Sequence, residues 1–213
     1  MREINNALGS VFGGLSEQNY VQSFDFYRFW FDIGQTYHQI PSDQIFDNIW
    51  RNRSMMSHVR GEPVHSTAHL ILRFAGDAES DPILAPHSSG LRSRLCTRTL
   101  QHFFSDNLEA VNCGAEPDYV VVNLVAHWVN LGYVEEASIR NHILQSLISH
   151  PTLHDHQAYT LIILFKLAGA TFEAYADPSV IDRCFELLKN YRPDDQEINA
   201  WLEGIKQVCA LAQ

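Results

Sequence analysis

The stretch that decides the fold is Pro117–Gly132, with the sequence PDYVVVNLVAHWVNLG. Pro117 and Asp118 are residues that begin helices, and Gly132 is one that ends them. The run from Tyr119 to Val122, with three β-branched valines, could also begin a strand, but the proline before it and the helical spacing of the apolar residues after it favour a helix. No alternating segment elsewhere in the chain offers a partner strand. The sequence therefore predicts an all-α protein.

Similar helices follow at a regular spacing. Predicted helix starts lie near residues 118, 135, 155, 178 and 194, so two helices fill about forty residues. Two pairs of segments share most of their apolar positions at offsets of 38 and 41 residues: Val122–Gly132 with Thr160–Ala170, and Ser138–Ile148 with Ser179–Lys189. This period indicates that antiparallel helix pairs are repeated along the chain.

In period and apolar register, residues 91–213 resemble the HEAT and armadillo class of helical repeats and, less closely, the middle-domain fold of translation-initiation scaffolds. The resemblance implies antiparallel helix pairs stacked as a short α-solenoid, with a long groove that accepts peptides or partner domains. An irregular α-helical bundle is the alternative, since a helix pair must bury its apolar face against neighbours in either arrangement.

The N-terminal part is helical but less regular. We expect a single all-α domain over residues 1–213, with irregular helices over 1–76, a loop over 77–90 and helix-pair repeats over 91–213. The loop is also the best candidate for a boundary between subdomains. The helix predicted over 17–39 is aromatic over much of its circumference, because Phe26, Phe29 and Trp30 widen its apolar stripe. Such a helix is usually buried on more than one side.

Composition limits the classes of function. The net charge of −10 opposes general nucleic-acid binding. Residues 1–50 sum to −4, residues 51–98 to +3 and residues 99–213 to −9, so only the central segment is basic. We find no signal peptide, no segment of membrane-spanning length and no CxxC pair, and we interpret the four cysteines as buried reduced thiols. These features favour the cytoplasm or the nucleus.

No pattern indicates an enzyme. The chain lacks a GxSxG motif and a glycine-rich phosphate loop. His65 and His69 are four apart on one helix face, and His150, His154 and His156 cluster around Pro151. We interpret both sets as ordinary helix-turn and loop histidines, and a histidine-rich metal-dependent hydrolase is an alternative. We therefore expect no catalytic residue, no metal ligands and no cofactor.

The central arginines are the candidate binding residues. They are Arg51, Arg53, Arg92, Arg94 and Arg98. The sequence favours a non-enzymatic protein–protein interaction module, a scaffold or adaptor whose arginines receive an acidic or phosphorylated peptide. One alternative is an RNA-binding helical scaffold that uses the same arginines. Another is that they form internal ion pairs with the acidic C-terminal half. Cys96, between Arg94 and Arg98, is interpreted as an inert thiol rather than an activated one.

Overall fold

The computed structural model describes residues 2–38, 40–41, 43–58 and 64–191. All regular secondary structure in these ranges is helical, which confirms the all-α prediction. The chain comprises two compact units, Met1–Arg98 and Thr99–Gln213. Their boundary does not fall in the segment 77–90 that the sequence favoured. The helix predicted from Asp194 or Asp195 through Leu211 lies outside the described residues.

None of the helices in the described ranges is both long and apolar enough to cross a membrane.

The first unit is built around an aromatic core. Its helices are α1 (Arg2–Gly14), α2 (Tyr20–His38), α3 (Gln44–His58), α4 (Val64–Ser80), α5 (Ala85–Ser88) and the first part of α6 (Leu91–His102). Helix α1 packs on α2 and α3, and α5 packs on α3 and α4. The buried rings of Phe12, Tyr27 and Phe74 meet edge to face, with centroids 4.9–5.6 Å apart. The Tyr27 hydroxyl accepts a hydrogen bond from Asn48 Nδ2 at 3.1 Å, which satisfies it inside the core.

The segment 77–90 is not the long loop that the sequence predicted. Helix α4 continues to Ser80, and α5 adds one further turn. Asp81 Oδ1 accepts hydrogen bonds from two backbone N–H groups at 2.9 and 3.1 Å, and the buried Ser88 hydroxyl donates to the Ala78 carbonyl at 2.7 Å. Burial of Leu84 fixes the segment against the core. The buried Asp81 and Ser88 therefore satisfy its backbone instead of facing water.

Helix α2 is buried on one face and exposed on the other. Tyr20, Tyr27 and Phe31 are buried, whereas Phe26 and Phe29 are exposed. The expectation that this aromatic helix is buried on more than one side is wrong for this chain.

In its described residues, the second unit consists of helices and one π-helical turn. They are the end of α6, the turn Phe103–Asn107, α7 (Leu108–Asn112), α8 (Tyr119–Asn130), α9 (Ala137–Leu147), α10 (Asp155–Tyr175) and α11 (Pro178–Asn190). Helix α8 packs along α10, and α9 and α11 contact α10 and each other. Trp128 is fully buried in this unit and donates from Nε1 to Thr99 Oγ1 at 3.3 Å.

Several helix ends follow the sequence predictions. Gly132 has φ +78°, and the N–H groups of Gly132 and Tyr133 donate to the carbonyls of Val129 and Trp128 at 3.1 and 2.9 Å. This is a Schellman ending, which favours glycine because an L side chain is strained at this φ. Asp177 is the N-cap of α11, and Pro178 is its first residue.

For α10 the sequence pattern predicts an N-cap at Asp155 and an end at Gly169, and both predictions are wrong. The helix passes through Gly169 and ends at Tyr175, since Phe172 in its last turn is fully buried. Burial of a large ring outweighs the roughly 1 kcal/mol that an interior glycine costs. At the other end His154, rather than Asp155, is the N-cap.

Candidate functional site

The five candidate arginines lie in the first unit, on α3 and α6. Arg94 and Arg98 are one turn apart on α6, as predicted. Arg94 Nη1 contacts Asp43 Oδ1 at 2.6 Å, and the Arg98 guanidinium carbon lies 5.7 Å from the centre of the Trp50 ring. The two side chains thus reach the beginning and the middle of α3.

A second arginine, Arg53, also lies close to the Trp50 ring. The guanidinium carbon of Arg53 lies 4.1 Å from the centre of the same indole, and its Nη1 donates to the Trp50 carbonyl at 2.7 Å. Both guanidiniums are within the distance at which cation–π attraction acts. We call Trp50, Arg53, Arg94 and Arg98 the arginine cluster.

The remaining two candidates are held by carboxylates. Arg92 Nε contacts Glu79 Oε2 at 2.5 Å, and its backbone N–H donates to the other oxygen at 3.0 Å. Arg51 pairs with Asp47 at 3.2 Å, one turn earlier on α3. For Arg51, Arg92 and Arg94, the ion-pair partners among the described residues are therefore acids of the first unit and not acids of the C-terminal half.

The arginine cluster retains hydrogen-bonding capacity. Arg98 is exposed and forms no ion pair with a described residue, so its donors are accessible to a partner. A guanidinium is a planar fork of five donors that matches a carboxylate or a phosphate in two-point contact. Packing against an aromatic ring restricts the side chain, so less rotamer entropy is lost on binding. The cluster can therefore receive an anionic group.

Sequence reasoning identified the arginines and missed the residues that position them. Asp43, Phe46 and Trp50 follow each other at helical spacing, and the Arg94 guanidinium carbon lies 5.6 Å from the centre of the Phe46 ring. The one-turn spacing of Arg94 and Arg98, which matches the helical spacing of Asp43, Phe46 and Trp50, was the only sequence feature that pointed to these contacts. It does not tell which of the helices meet, because that depends on the packing of the whole unit.

The histidines do not assemble into a metal site in the part of the chain that the structure describes, where no three His, Cys, Asp or Glu side chains gather suitably. His69 is exposed, with Nε2 3.9 Å from Glu17 Oε1, and the side chain of His65 is outside that part. His154 caps α10, and His156 Nδ1 lies 2.8 Å from the Tyr119 hydroxyl oxygen.

The cysteines differ in exposure. Cys96 and Cys184 are buried, and burial raises the pKa of these thiols to about 11 and about 12. The neighbouring arginines therefore do not activate Cys96, in agreement with the interpretation of an inert thiol. Cys113 is exposed, so the expectation of burial is wrong there. It follows α7 in the turn that ends at Gly114. Cys209 lies outside the described residues.

Comparison of the chain with protein-family models, with curated proteins and with solved structures gives no match.

Proposed function

We propose that this chain is a non-enzymatic interaction module, a scaffold or adaptor whose arginine cluster binds an acidic or phosphorylated peptide. The observation that carries the proposal is Arg98, which lies exposed within cation–π distance of Trp50 and forms no ion pair with any described residue. A charged side chain held in place without a carboxylate is well suited to take one from a partner.

Arg94 supports the same function. Its partner Asp43 is exposed, and an exposed ion pair contributes only about 0–1 kcal/mol, so a stronger anion can displace it. Arg94 and Arg98 are four residues apart, which separates them by about 6 Å along the helix axis. A peptide that presents a phosphate, or two acidic side chains close together, would contact both guanidiniums at once.

The finer architecture of the second unit also belongs to this proposal. We infer a two-layer stack of helix pairs, in which α8 and α10 form one layer and α9 and α11 the other. The contacts of α8 with α10 and of α9 with α11 support it, since equivalent helices of successive pairs are neighbours in such a stack. A stack of this kind presents an extended surface to partner proteins. Residence in the cytoplasm or nucleus remains a prediction.

A set of short peptides tests the proposal. Each sequence would be made with phosphoserine, with glutamate and with serine, and binding to the full chain would be measured by fluorescence anisotropy. We expect the order phosphoserine, glutamate, serine, with Arg98→Glu weakening the best peptide by about tenfold or more, because a hydrogen bond to a charged group contributes about 1.5–3 kcal/mol. Arg183→Glu is the matched control, since Arg183 is a partly exposed arginine of the second unit, paired with Glu186 at 2.7 Å.

A variant of the ring separates positioning from charge. In Trp50→Leu, Arg53 and Arg98 keep their charge but lose the ring that restricts them. We therefore expect peptide binding to be weakened less than by Arg98→Glu. Equal binding of the three peptide forms, or equal binding by wild type and Arg98→Glu, would contradict the proposal.

A further inference from the structure

Helix α2 carries an apolar stripe on its outer face, remote in sequence from the arginine cluster. With 100° between successive residues, Phe26, Phe29, Trp30, Ile33 and Tyr37 fall within an arc of about 100°. Phe26 is 47% exposed, Phe29 59% and Tyr37 74%. Trp30 touches both phenylalanines, with ring centroids 6.1 and 5.9 Å away. We call these five residues the α2 stripe.

An exposed stripe of this composition is unusual on a single chain. Lone apolar residues on a surface need no explanation, but a contiguous aromatic patch marks an interaction site. The opposite face of α2 already supplies Tyr27 and Phe31 to the core, so the stripe is not needed to hold the helix in place.

One edge of the stripe is acidic. Asp25 and Asp32 are exposed, and each lies about one turn from Phe29 along the helix surface. The two aspartates are two turns, or about 10.5 Å, apart along the helix axis. Neither forms an ion pair with a described residue. The single lysine or arginine of α2 is Arg28, which is paired with Asp81 at 3.4 Å. The stripe therefore joins apolar area to uncompensated negative charge.

We propose that the α2 stripe binds an amphipathic helix of another protein, one with bulky apolar residues on its face and lysine or arginine along one edge at a spacing of seven. Charge complementarity selects this occupant. An antiparallel second copy of α2 would place one acidic edge against the other, with no cation between them. The C-terminal segment 192–213 carries two cations and four acids, so its net charge is also of the wrong sign.

A displayed library tests the proposal. It would contain helices as long as α2 with a fixed leucine face, and with edge positions randomised among lysine, glutamate, glutamine and serine. The bait is the full chain. We expect enrichment of lysine at two edge positions seven apart. Enrichment of glutamate or of uncharged edges, or no enrichment at all, would overturn the proposal.

Variants then locate the binding. For the enriched peptide, we expect Phe26→Ser with Phe29→Ser to weaken the affinity by about tenfold or more, as for central apolar contacts in an interface. Asp25→Lys with Asp32→Lys should weaken it by about fivefold or more, since exposed charge pairs are worth up to about 1 kcal/mol each. Val21→Ser, exposed on the same helix but outside the stripe, and Asp182→Lys on α11 should stay within about twofold.

Two further outcomes would assign the stripe to another occupant. If sedimentation shows a dimer that Phe26→Ser with Phe29→Ser dissociates, a second copy covers the stripe. If Trp201→Ser with Ile205→Ser in the full chain raises the affinity for the peptide, the C-terminal segment covers it. Either result overturns the proposal. Circular dichroism of each variant verifies that it folds.

Discussion

Gly34 leaves no space for a side chain on the inner face of α2. A Cβ atom on its backbone would lie 2.0 Å from Ile40 Cδ1 and 2.8 Å from Ile40 Cγ1, and Ile40 is itself buried. The chain folds back after α2 at this point, where Gln35 Nε2 donates to the Ile40 carbonyl at 2.8 Å. The close approach of Ile40 to Gly34 therefore holds the return of the chain against the helix.

Gly34→Ala should destabilise the chain although alanine favours a helix. Replacing an interior glycine by alanine contributes about 1 kcal/mol of stability through helix propensity. Overpacking a closed site costs about 1–3 kcal/mol. The net change is a loss of about 0–2 kcal/mol. In the Ile40→Ala background the clash is gone, and the next atom is Ile4 Cγ2 at 3.3 Å. There the substitution should stabilise by part of the propensity difference, because Ile4 must still shift by a few tenths of an ångström.

A double-mutant cycle on the full chain measures this interaction by denaturant unfolding. We expect a coupling of about 1–3 kcal/mol between Gly34→Ala and Ile40→Ala. Gly76→Ala is the matched control, because a Cβ at this interior position of α4 meets only Arg92 Nη1, at an ordinary 3.9 Å. It should stabilise by up to about 1 kcal/mol. Equal stabilisation by Gly34→Ala and Gly76→Ala, or a coupling near zero, would refute the reasoning.

Three further predictions concern a turn, a cap and the thiols. Gly132→Ala should lower the stability by about 1–2 kcal/mol in thermal unfolding, since φ is +78° and no atom crowds the site, so only backbone strain acts. Hydrogen bonds from the Ser179 hydroxyl and backbone N–H lower the pKa of Asp177, so its contribution is present above the ordinary aspartate pKa and lost as pH falls through the lowered value. The melting temperature of wild type relative to Asp177→Asn should therefore fall on acidification through this window, and a constant difference would count against it. In the native chain at about pH 8 a disulfide reagent should modify Cys113 rapidly and Cys96 and Cys184 only after unfolding, as mass spectrometry of the labelled peptides would reveal.

Features set by neighbouring residues were predictable from the sequence. Asp177 and Pro178 begin α11, and Gly132 follows the end of α8, because caps and left-handed turns depend on a few adjacent residues. Gly169 shows the limit of such signals. The same residue type that ends one helix lies inside α10, where the burial of Phe172 decides the outcome.

Features set by distant residues were not predictable. The aromatic composition of α2 does not tell whether a neighbour covers its outer face, and Phe29 is exposed because none of the described helices does so. The pairing of Arg92 with Glu79 depends on how α6 meets the end of α4. Electrostatic partners follow from packing, so a sum of charges over a segment predicts a basic region without identifying which cations remain available.

The ion pairs also favour a peptide over RNA as the ligand of the arginine cluster. Asp43, Asp47 and Glu79 already hold Arg94, Arg51 and Arg92, so an RNA that engaged all five candidate arginines would have to break three ion pairs. Binding to a phosphate backbone depends on many released counterions, each contributing to a steep salt dependence. A peptide with one phosphate would need the guanidiniums of Arg98 and Arg94 only, so it would break one of these ion pairs, Arg94 with Asp43. The overall charge of −10 further opposes a long polyanion, whereas acids more than about 8 Å from a short ligand are largely screened from it by physiological salt.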